Sequence, residues 1–224
     1  MTKNILAVVA HPDDEILGVG GTLCKHAQDG DAVFVLILAD GESSRDDGGD
    51  AGKINARQDS AQKAASILGV KELFFSDFPD NRMDSVVFLD IIKVVEQNIS
   101  KIKPDVIYTH HGGDLNVDHR LTFEAVVTAS RPIQGGAYPK EIYGFETLSS
   151  TEWGIHGGFE PSVYVDIDGV FKKKMAALKA YESEMRSFPH PRSYEAVEAL
   201  AKLRGSTVAL NMAESFTCIR NIKG

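Results

Sequence analysis

Strand-like and helix-like segments alternate through about the first 120 residues of this 224-residue chain, and no other feature constrains its fold as much. Residues 4–10 and 32–40 are uninterrupted apolar runs, which are typical of strands buried on both faces of a sheet. Shorter strands are predicted at residues 73–75 and 105–109. Helices are predicted between the strands, at residues 14–28, 56–68 and 86–102. This alternation predicts an α/β fold with a mostly parallel central sheet flanked by helices.

The second half of the chain is less regular. Strands are predicted at residues 141–145 and 162–167, with a final edge strand at residues 215–220. Helices are predicted at residues 170–185 and 194–203. Because no repeat, low-complexity tract or linker interrupts the sequence, we expect one domain that spans residues 1–224.

The composition limits the classes of partner. The formal charge is −8, from 32 acidic and 24 basic residues, and no concentrated basic stripe favours a nucleic-acid partner. The apolar runs are far shorter than the ~20 residues of a membrane-spanning helix, and no basic-then-apolar leader precedes the first strand. Cys24 and Cys218 give no disulfide framework and no thiolate metal cluster. We therefore expect a soluble, cytoplasmic protein without a membrane span or a nucleic-acid partner.

Two clusters of histidine and acidic residues follow predicted strands. Residues 10–15 (AHPDDE) come directly after the first strand, and residues 110–120 (HHGGDLNVDHR) come directly after the strand that ends at Thr109. Together they hold four of the seven histidines and five acids. Ligands of open α/β sheets bind beyond the carboxyl ends of the strands. The two clusters are therefore the candidate functional site.

The residue types in these clusters suit a metal-dependent hydrolase. A catalytic zinc ion takes about three histidine or carboxylate ligands and keeps a position open for water. His11, Asp14 and His119 supply such ligands if the two strand ends are close, and Asp13 remains as a base for the water. A plainer alternative stays open, in which the acids only favour helix N-termini and Asp118 caps a helix at residues 121–130.

A glycine cluster after the first strand raises a different possibility. Gly18, Gly20 and Gly21 resemble part of a dinucleotide-binding fingerprint, but the sequence GVGGTL lacks the G-x-G-x-x-G spacing. Close packing of the first helix is the favoured interpretation of these glycines.

The two clusters resemble motifs of the PIG-L/LmbE-like family of zinc-dependent N-deacetylases. The similarity rests on AHPDDE at residues 10–15 and on a downstream Asp-His-Arg at residues 118–120 that opens a helix. It extends over most of the chain, through residues 57–59, 64–65, 68–70, 78–80, 181–183 and 213–216.

The resemblance implies a Rossmann-like fold and hydrolysis of an N-acyl group, usually acetyl, from an amino sugar. It implies Zn²⁺, or another divalent transition metal, bound by His11, Asp14 and His119, with Asp13 as general base. One position departs from the family pattern, because many members have histidine where this chain has Asn116. That histidine is usually assigned to transition-state stabilisation or proton delivery.

The departure at Asn116 changes the expected chemistry. Asparagine donates a hydrogen bond but does not titrate. Asn116 is therefore predicted to stabilise the developing oxyanion, and the role of acid falls to His110, His111 or protonated Asp13.

Four residues are predicted to bind substrate: Arg57, Asp80, His110 and His111. The guanidinium group of Arg57 suits a phosphate, hydroxyl or acyl oxygen, and a salt bridge to Asp59 or another acid is the alternative. Selectivity is expected to lie in residues 43–53, 80–84, 131–140 and 188–193, of which the first is a predicted polar, glycine-rich loop.

The expected activity is metal-dependent removal of an N-acetyl group from a sugar, a nucleotide sugar or a glycoside. Two alternatives from other classes stay open: a metal-dependent phosphoesterase, which more often needs carboxylates for two metals, and a non-catalytic nucleotide-binding module. Members of the family often form trimers or hexamers, so a homo-oligomer is a further possibility.

Overall fold

Seven strands form one sheet in the order β3-β2-β1-β4-β5-β7-β6. The computed structural model describes residues 2–42, 51–133, 136 and 138–223, and of Ala51 only the backbone. Within these residues the strands are β1 (Asn4–Val9), β2 (Ala32–Ala39), β3 (Glu72–Phe78), β4 (Val106–His110), β5 (Glu141–Phe145), β6 (Val163–Asp166) and β7 (Ala213–Asn221). Both ends of the chain contribute to this sheet, which supports the prediction of one domain.

The sheet is mostly parallel, as the alternation of elements predicts. Strands β1 to β5 pair in parallel, and β7 is antiparallel to both β5 and β6. The prediction of a final edge strand at residues 215–220 is wrong. The first residues of β7 pair with β6 while Phe216–Asn221 pairs with β5, so β7 is an inner strand and β6 lies at the edge. The residue pattern of a strand does not tell which of its edges are paired.

Six α-helices connect and cover the described strands. They are α1 (Asp14–Gln28), α2 (Ala51–Leu68), α3 (Phe88–Ile102), α4 (Val117–Ala129), α5 (Phe171–Leu178) and α6 (Tyr194–Ser206). Residues 51–53 of the predicted loop are therefore helical, and the remainder of that loop, residues 43–50, lies outside the described residues. The helix predicted at residues 170–185 ends at Leu178 and continues as 3₁₀ turns to Glu184. None of the helices in the described part of the chain combines the length and the apolar character needed to cross a membrane.

The sheet has a separate hydrophobic core on each face. Successive side chains of a strand point to opposite faces. Ile5, Ala7 and Val9 accordingly belong to one core, together with buried residues of α1, α2, α5 and α6. Leu6 and Val8 belong to the other, with residues of α3 and α4. Burial of both faces is the reason that β1 is an unbroken apolar run rather than an alternating one.

The glycines of α1 allow close packing. They lie within the helix, and not in the turn between β1 and α1 that binds a dinucleotide. A Cβ atom at Gly18 would collide with the ring of Phe145, and one at Gly21 would lie 2.8 Å from the Ile167 side chain. The packing interpretation of these residues is therefore correct.

A buried ion pair fastens α1 to the C-terminal half of the chain. Lys174 Nζ donates to Glu214 Oε1 at 2.6 Å and to the carbonyl oxygen of Leu17 at 3.0 Å. The Glu214 carboxylate also accepts from the amides of Gly21 (2.8 Å) and Thr22 (2.7 Å). Because both charged residues are buried, each depends on the other to offset its loss of hydration.

Replacing Glu214 with alanine is expected to lower the free energy of unfolding by about 3–5 kcal/mol, because it leaves the Lys174 ammonium buried without a carboxylate. Urea denaturation of the purified protein measures this change. The control is Glu198→Ala, which removes an exposed carboxylate 2.6 Å from Lys202 and should cost less than about 1 kcal/mol. Equal, small losses for the two variants would contradict the proposed importance of the buried pair.

The sheet topology brings the two sequence clusters together. The chain reverses its direction of travel across the sheet between β1 and β4, which are neighbours although three helices and two strands separate them in sequence. Residues that follow β1 and residues that follow β4 therefore meet at one switch point, where open α/β sheets bind their ligands.

Candidate metal centre and catalytic pocket

A strained turn after β1 sets the position of the first cluster. Asp13 is the N-cap of α1 and has φ = 111°, a left-handed conformation that is uncommon for a residue with a side chain. Such strain costs on the order of 1–3 kcal/mol and is concentrated at functional sites. The Asp13 amide donates to Glu15 Oε2 at 3.0 Å, and the Asp13 carbonyl accepts from Ile16 and Leu17 at 3.0 Å each. These bonds hold the turn in place.

Asn116 sets the position of the second cluster as the N-cap of α4. Its Oδ1 accepts from the amides of Asp118 (2.8 Å) and His119 (3.4 Å). The prediction of a helix at residues 121–130 with Asp118 as a possible cap is therefore wrong, because α4 begins at Val117. Two residues of similar capping ability stand two positions apart, and the sequence does not say which of them caps. His119 consequently lies in the first helical turn.

The structure brings His11, Asp14 and His119 together. Asp14 Oδ2 is 3.2 Å from His11 Nδ1 and 3.3 Å from His119 Nε2. One ligand atom from each residue lies within 4.8 Å of the other two, and all three residues are buried. This spacing is compatible with one bound ion.

The three residues also fit a metal ion chemically. His119 Nε2 and Asp14 Oδ1 are buried without a hydrogen-bond partner, which is rare in protein interiors. Burial lowers the pKa of His11, but hydrogen bonds with Asp118 and Asp14 outweigh it and raise the pKa to about 10. The surroundings of His11 thus favour a positive charge. Two imidazoles and a carboxylate suit zinc and related divalent transition metals.

A further carboxylate stands behind each histidine. His11 Nε2 is 3.0 Å from Asp118 Oδ2 and 3.1 Å from Asp80 Oδ1, and His119 Nδ1 is 3.1 Å from Asp114 Oδ1. Such partners fix which ring nitrogen faces a metal. His11, Asp80 and Asp118 could themselves group around an ion. However, both Asp118 oxygens already accept backbone amides, from Asn81 and Met83, so this group is better suited to orienting His11.

The Asp13 carboxylate is held at one oxygen and open at the other. Its Oδ2 accepts from Arg192 Nη1 at 2.7 Å, whereas its buried Oδ1 has no hydrogen-bond partner. Arg192 is fixed in turn, because its Nε donates to Ser149 Oγ at 2.8 Å. Burial raises the pKa of Asp13 to about 6 against the opposing charge of Arg192. Asp13 therefore combines the exposure to a ligand and the basicity that a general base requires.

These groups face one cavity of about 170 Å³ beside the metal-ligand set. Its lining comprises His11, Asp13, Gly41, Arg57, Asp80, Asn81, Asn116, Glu184 and Arg192. The predicted catalytic residues Asp13 and Asn116 and the predicted substrate-binding residues Arg57 and Asp80 thus share one pocket. Sequence reasoning missed Glu184 and Arg192, and no motif spacing signals either of them.

Arg57 adopts the salt-bridge alternative. Its Nε donates to Glu42 Oε1, and its Nη2 lies 2.8 Å from Glu184 Oε1. Within the described residues its partners are thus Glu42 and Glu184 rather than Asp59. Arg57 lines the cavity, but as a member of a buried ionic group.

The structure does not support substrate binding by His110 and His111. His110 is fully buried, accepts from the Ala10 amide at Nε2 (3.0 Å) and stacks on the His119 ring at 3.9 Å. Burial lowers the pKa of His110 to about 3, so this imidazole is a neutral support for His119. The His111 ring lies edge-on to Phe159 and is not part of the cavity lining. The sequence placed both next to the cluster without showing where their rings point.

A mostly parallel α/β sheet with a histidine–aspartate metal-ligand set at its switch point defines the class of fold and site. The family model described as PIG-L: GlcNAc-PI de-N-acetylase matches residues 6–130. The chain belongs to this family.

Three relatives illustrate the range of the family. The chain is 33% identical over 187 residues to the uncharacterized deacetylase YaiS of Escherichia coli K12, covering 81% of this chain and 91% of YaiS. It is 31% identical to the diacetylchitobiose deacetylase of Thermococcus kodakarensis, covering 81% and 70%. It is 29% identical to the 4-oxalmesaconate hydratase of Pseudomonas putida, covering 79% and 72%.

The fold is shared with solved structures. The conserved protein TT1542 of Thermus thermophilus is 25% identical, superposes with a TM-score of 0.78, and is covered over 97% of its length by 100% of this chain.

Proposed function

We propose that the chain is a zinc-dependent hydrolase that removes an N-acetyl group from an amino sugar or a sugar conjugate. The observation that carries this proposal is the meeting of His11, Asp14 and His119 beside Asp13, whose Oδ1 faces the cavity unpaired. Membership of the PIG-L family and relatives named as deacetylases support the reaction type.

Asp13 is the proposed general base. When bound at these ligands, zinc supplies a Lewis acid that polarises the amide carbonyl and makes nearby water more acidic. Asp13 Oδ1 takes the proton of the attacking water, while Arg192 holds Oδ2 in place. Protonated Asp13 then delivers the proton to the departing amine. His110 is excluded from this role because it is buried, hydrogen-bonded to the backbone and neutral.

Asn116 is the proposed donor to the developing oxyanion. Its Nδ2 donates one hydrogen to Asn81 Oδ1 at 2.8 Å, and the amide has a second hydrogen to donate. The residue lines the same cavity as Asp13. An uncharged donor in this position stabilises negative charge on the substrate without a proton transfer.

Acetate release tests the proposed function. Purified, zinc-loaded protein is incubated with N-acetylglucosamine, diacetylchitobiose and further N-acetylated glycosides, and acetate and free amine are measured. Equal amounts of both products support the proposal. Phosphate release from phosphoesters without any deacetylation would indicate the phosphoesterase alternative. Hydration of an unsaturated dicarboxylate, the reaction type suggested by the name of the Pseudomonas putida relative, would also contradict the proposal.

Two substitutions of Asn116 separate its catalytic role from its role as a helix cap. Asn116→Ala should cost about 1 kcal/mol of stability through loss of the cap and lower kcat by ~10²–10³ through loss of the donor. Asn116→Asp keeps a good cap and should preserve stability, but it should lower kcat at least as much because a carboxylate repels the oxyanion. Near-wild-type kcat per bound zinc in both variants would leave Asn116 with the capping role alone.

A further inference from the structure

Charged groups dominate the lining of the cavity. Three carboxylates, those of Asp13, Asp80 and Glu184, face it together with the guanidinium groups of Arg57 and Arg192. A site that binds a phosphate or a carboxylate usually offers guanidinium donors to both oxygens of the ligand. The availability of these two arginines therefore decides which charge of substrate the cavity accepts.

Both arginines are already bound to carboxylates. Arg57 is only 9% exposed and contacts Glu42 and Glu184 through two of its nitrogens. Arg192 donates to Asp13 and to Ser149. An anionic group could gain either arginine only by displacing a carboxylate, which would then be left in the interior without its partner at high cost.

The metal ion and its ligands do not reverse this balance. A divalent cation adds two positive charges, which must be counted. Asp14, Asp114 and Asp118 contact the two histidine ligands and are buried, so their negative charge lies close to the ion. By sequence, residues 43–50 contribute three aspartates and one arginine and hence add no net positive charge.

Sugar hydroxyl groups suit the same lining. Carboxylates only accept hydrogen bonds when they are ionised, and a hydroxyl is a donor that needs no counter-charge. Asp80 and Glu184 present carboxylate oxygens beside the guanidinium donors of Arg57 and Arg192, so donors and acceptors are mixed around the cavity.

We propose that the cavity selects N-acetylated sugars without an anionic group, and that Glu184 enforces this selectivity by neutralising Arg57. The inference rests on the proposed deacetylase function and narrows its substrate class. It separates uncharged amino sugars and their glycosides from sugar phosphates and nucleotide sugars.

Matched substrate pairs test the proposal on the zinc-loaded wild-type protein. N-acetylglucosamine is compared with its 6-phosphate, and the methyl glycoside of N-acetylglucosamine with the 1-phosphate. We expect kcat/KM for acetate release to be about tenfold or more higher for each uncharged member, because a like charge near buried carboxylates is repelled. A kcat/KM for either phosphate that equals or exceeds that of its uncharged partner would overturn the inference and leave the deacetylase function standing.

Glu184→Gln tests the assigned residue. The amide is similar in shape but leaves Arg57 with a positive charge that is no longer balanced by Glu184, so the preference for the uncharged substrate should shrink by about tenfold. Glu182→Gln is the matched control, since Glu182 is exposed two positions away and lies outside the cavity lining. Equal preferences in the two variants would remove Glu184 from the proposal.

The remaining outcomes are also decisive. Circular dichroism establishes whether Glu184→Gln folds, and if it does not, the wild-type comparison of substrate pairs still decides the selectivity. No acetate release from any uncharged or charged substrate would overturn the deacetylase function and, with it, this inference.

Discussion

Replacing His119 with alanine is expected to remove zinc and, with it, all measurable deacetylation. The substitution takes away one of three ligands and leaves Asp14 and His11 as an incomplete set. It also leaves the buried carboxylate of Asp114 without the imidazole that it contacts at 3.1 Å. Turnover should therefore fall by more than the ~10²–10⁴-fold that a general acid–base group contributes.

Metal content and rate are measured together on the same preparations. Bound zinc is determined per protein molecule after dialysis, and acetate release is measured with and without added zinc. His156→Ala is the control, because His156 is an exposed histidine outside the site, and this variant should keep both zinc and activity. Unchanged zinc content in folded His119→Ala protein would show that His119 is not a ligand.

Much of the fold could be predicted because burial imposes a simple pattern. The bounds of α1 and of β5 agree with the prediction, and β1 and β2 each end one residue earlier than predicted. Long apolar runs and amphipathic periodicity report which faces are buried, and here burial and secondary structure coincide. The order of the strands needed more, since the insertion of β7 between β5 and β6 depends on pairing between segments that are distant in sequence.

The predictable part of the candidate site is the part that lies within short motifs. His11, Asp13 and Asp14 are consecutive or nearly so, and their chemistry is legible from residue type alone. Arg192 contacts Asp13 from 179 positions away. Glu184 meets Arg57 only because the 3₁₀ turns after α5 pack against α2. Such contacts depend on tertiary packing, which local sequence does not encode.

The second large effect is expected for Asp13→Asn. Asparagine tolerates the left-handed conformation of residue 13 as aspartate does, and the residue is not in the metal-ligand set, so the variant should fold and keep its zinc. It should lose ~10²–10⁴-fold in kcat, because an amide does not take a proton from water. Full activity of zinc-loaded Asp13→Asn protein would show that another group is the base, and loss of zinc would make Asp13 a ligand.

A double-mutant cycle with Arg192 sharpens this second prediction. If Arg192 acts by holding the Asp13 carboxylate, Arg192→Gln should lower kcat in the wild-type background, because Asp13 Oδ2 loses its 2.7 Å partner. In the Asp13→Asn background the same change should have no further effect on kcat, since the base is already gone. A merely structural role for Arg192 would lower stability in both backgrounds without this dependence. Equal reductions of kcat in the two backgrounds would mean that Arg192 acts on the substrate independently of Asp13.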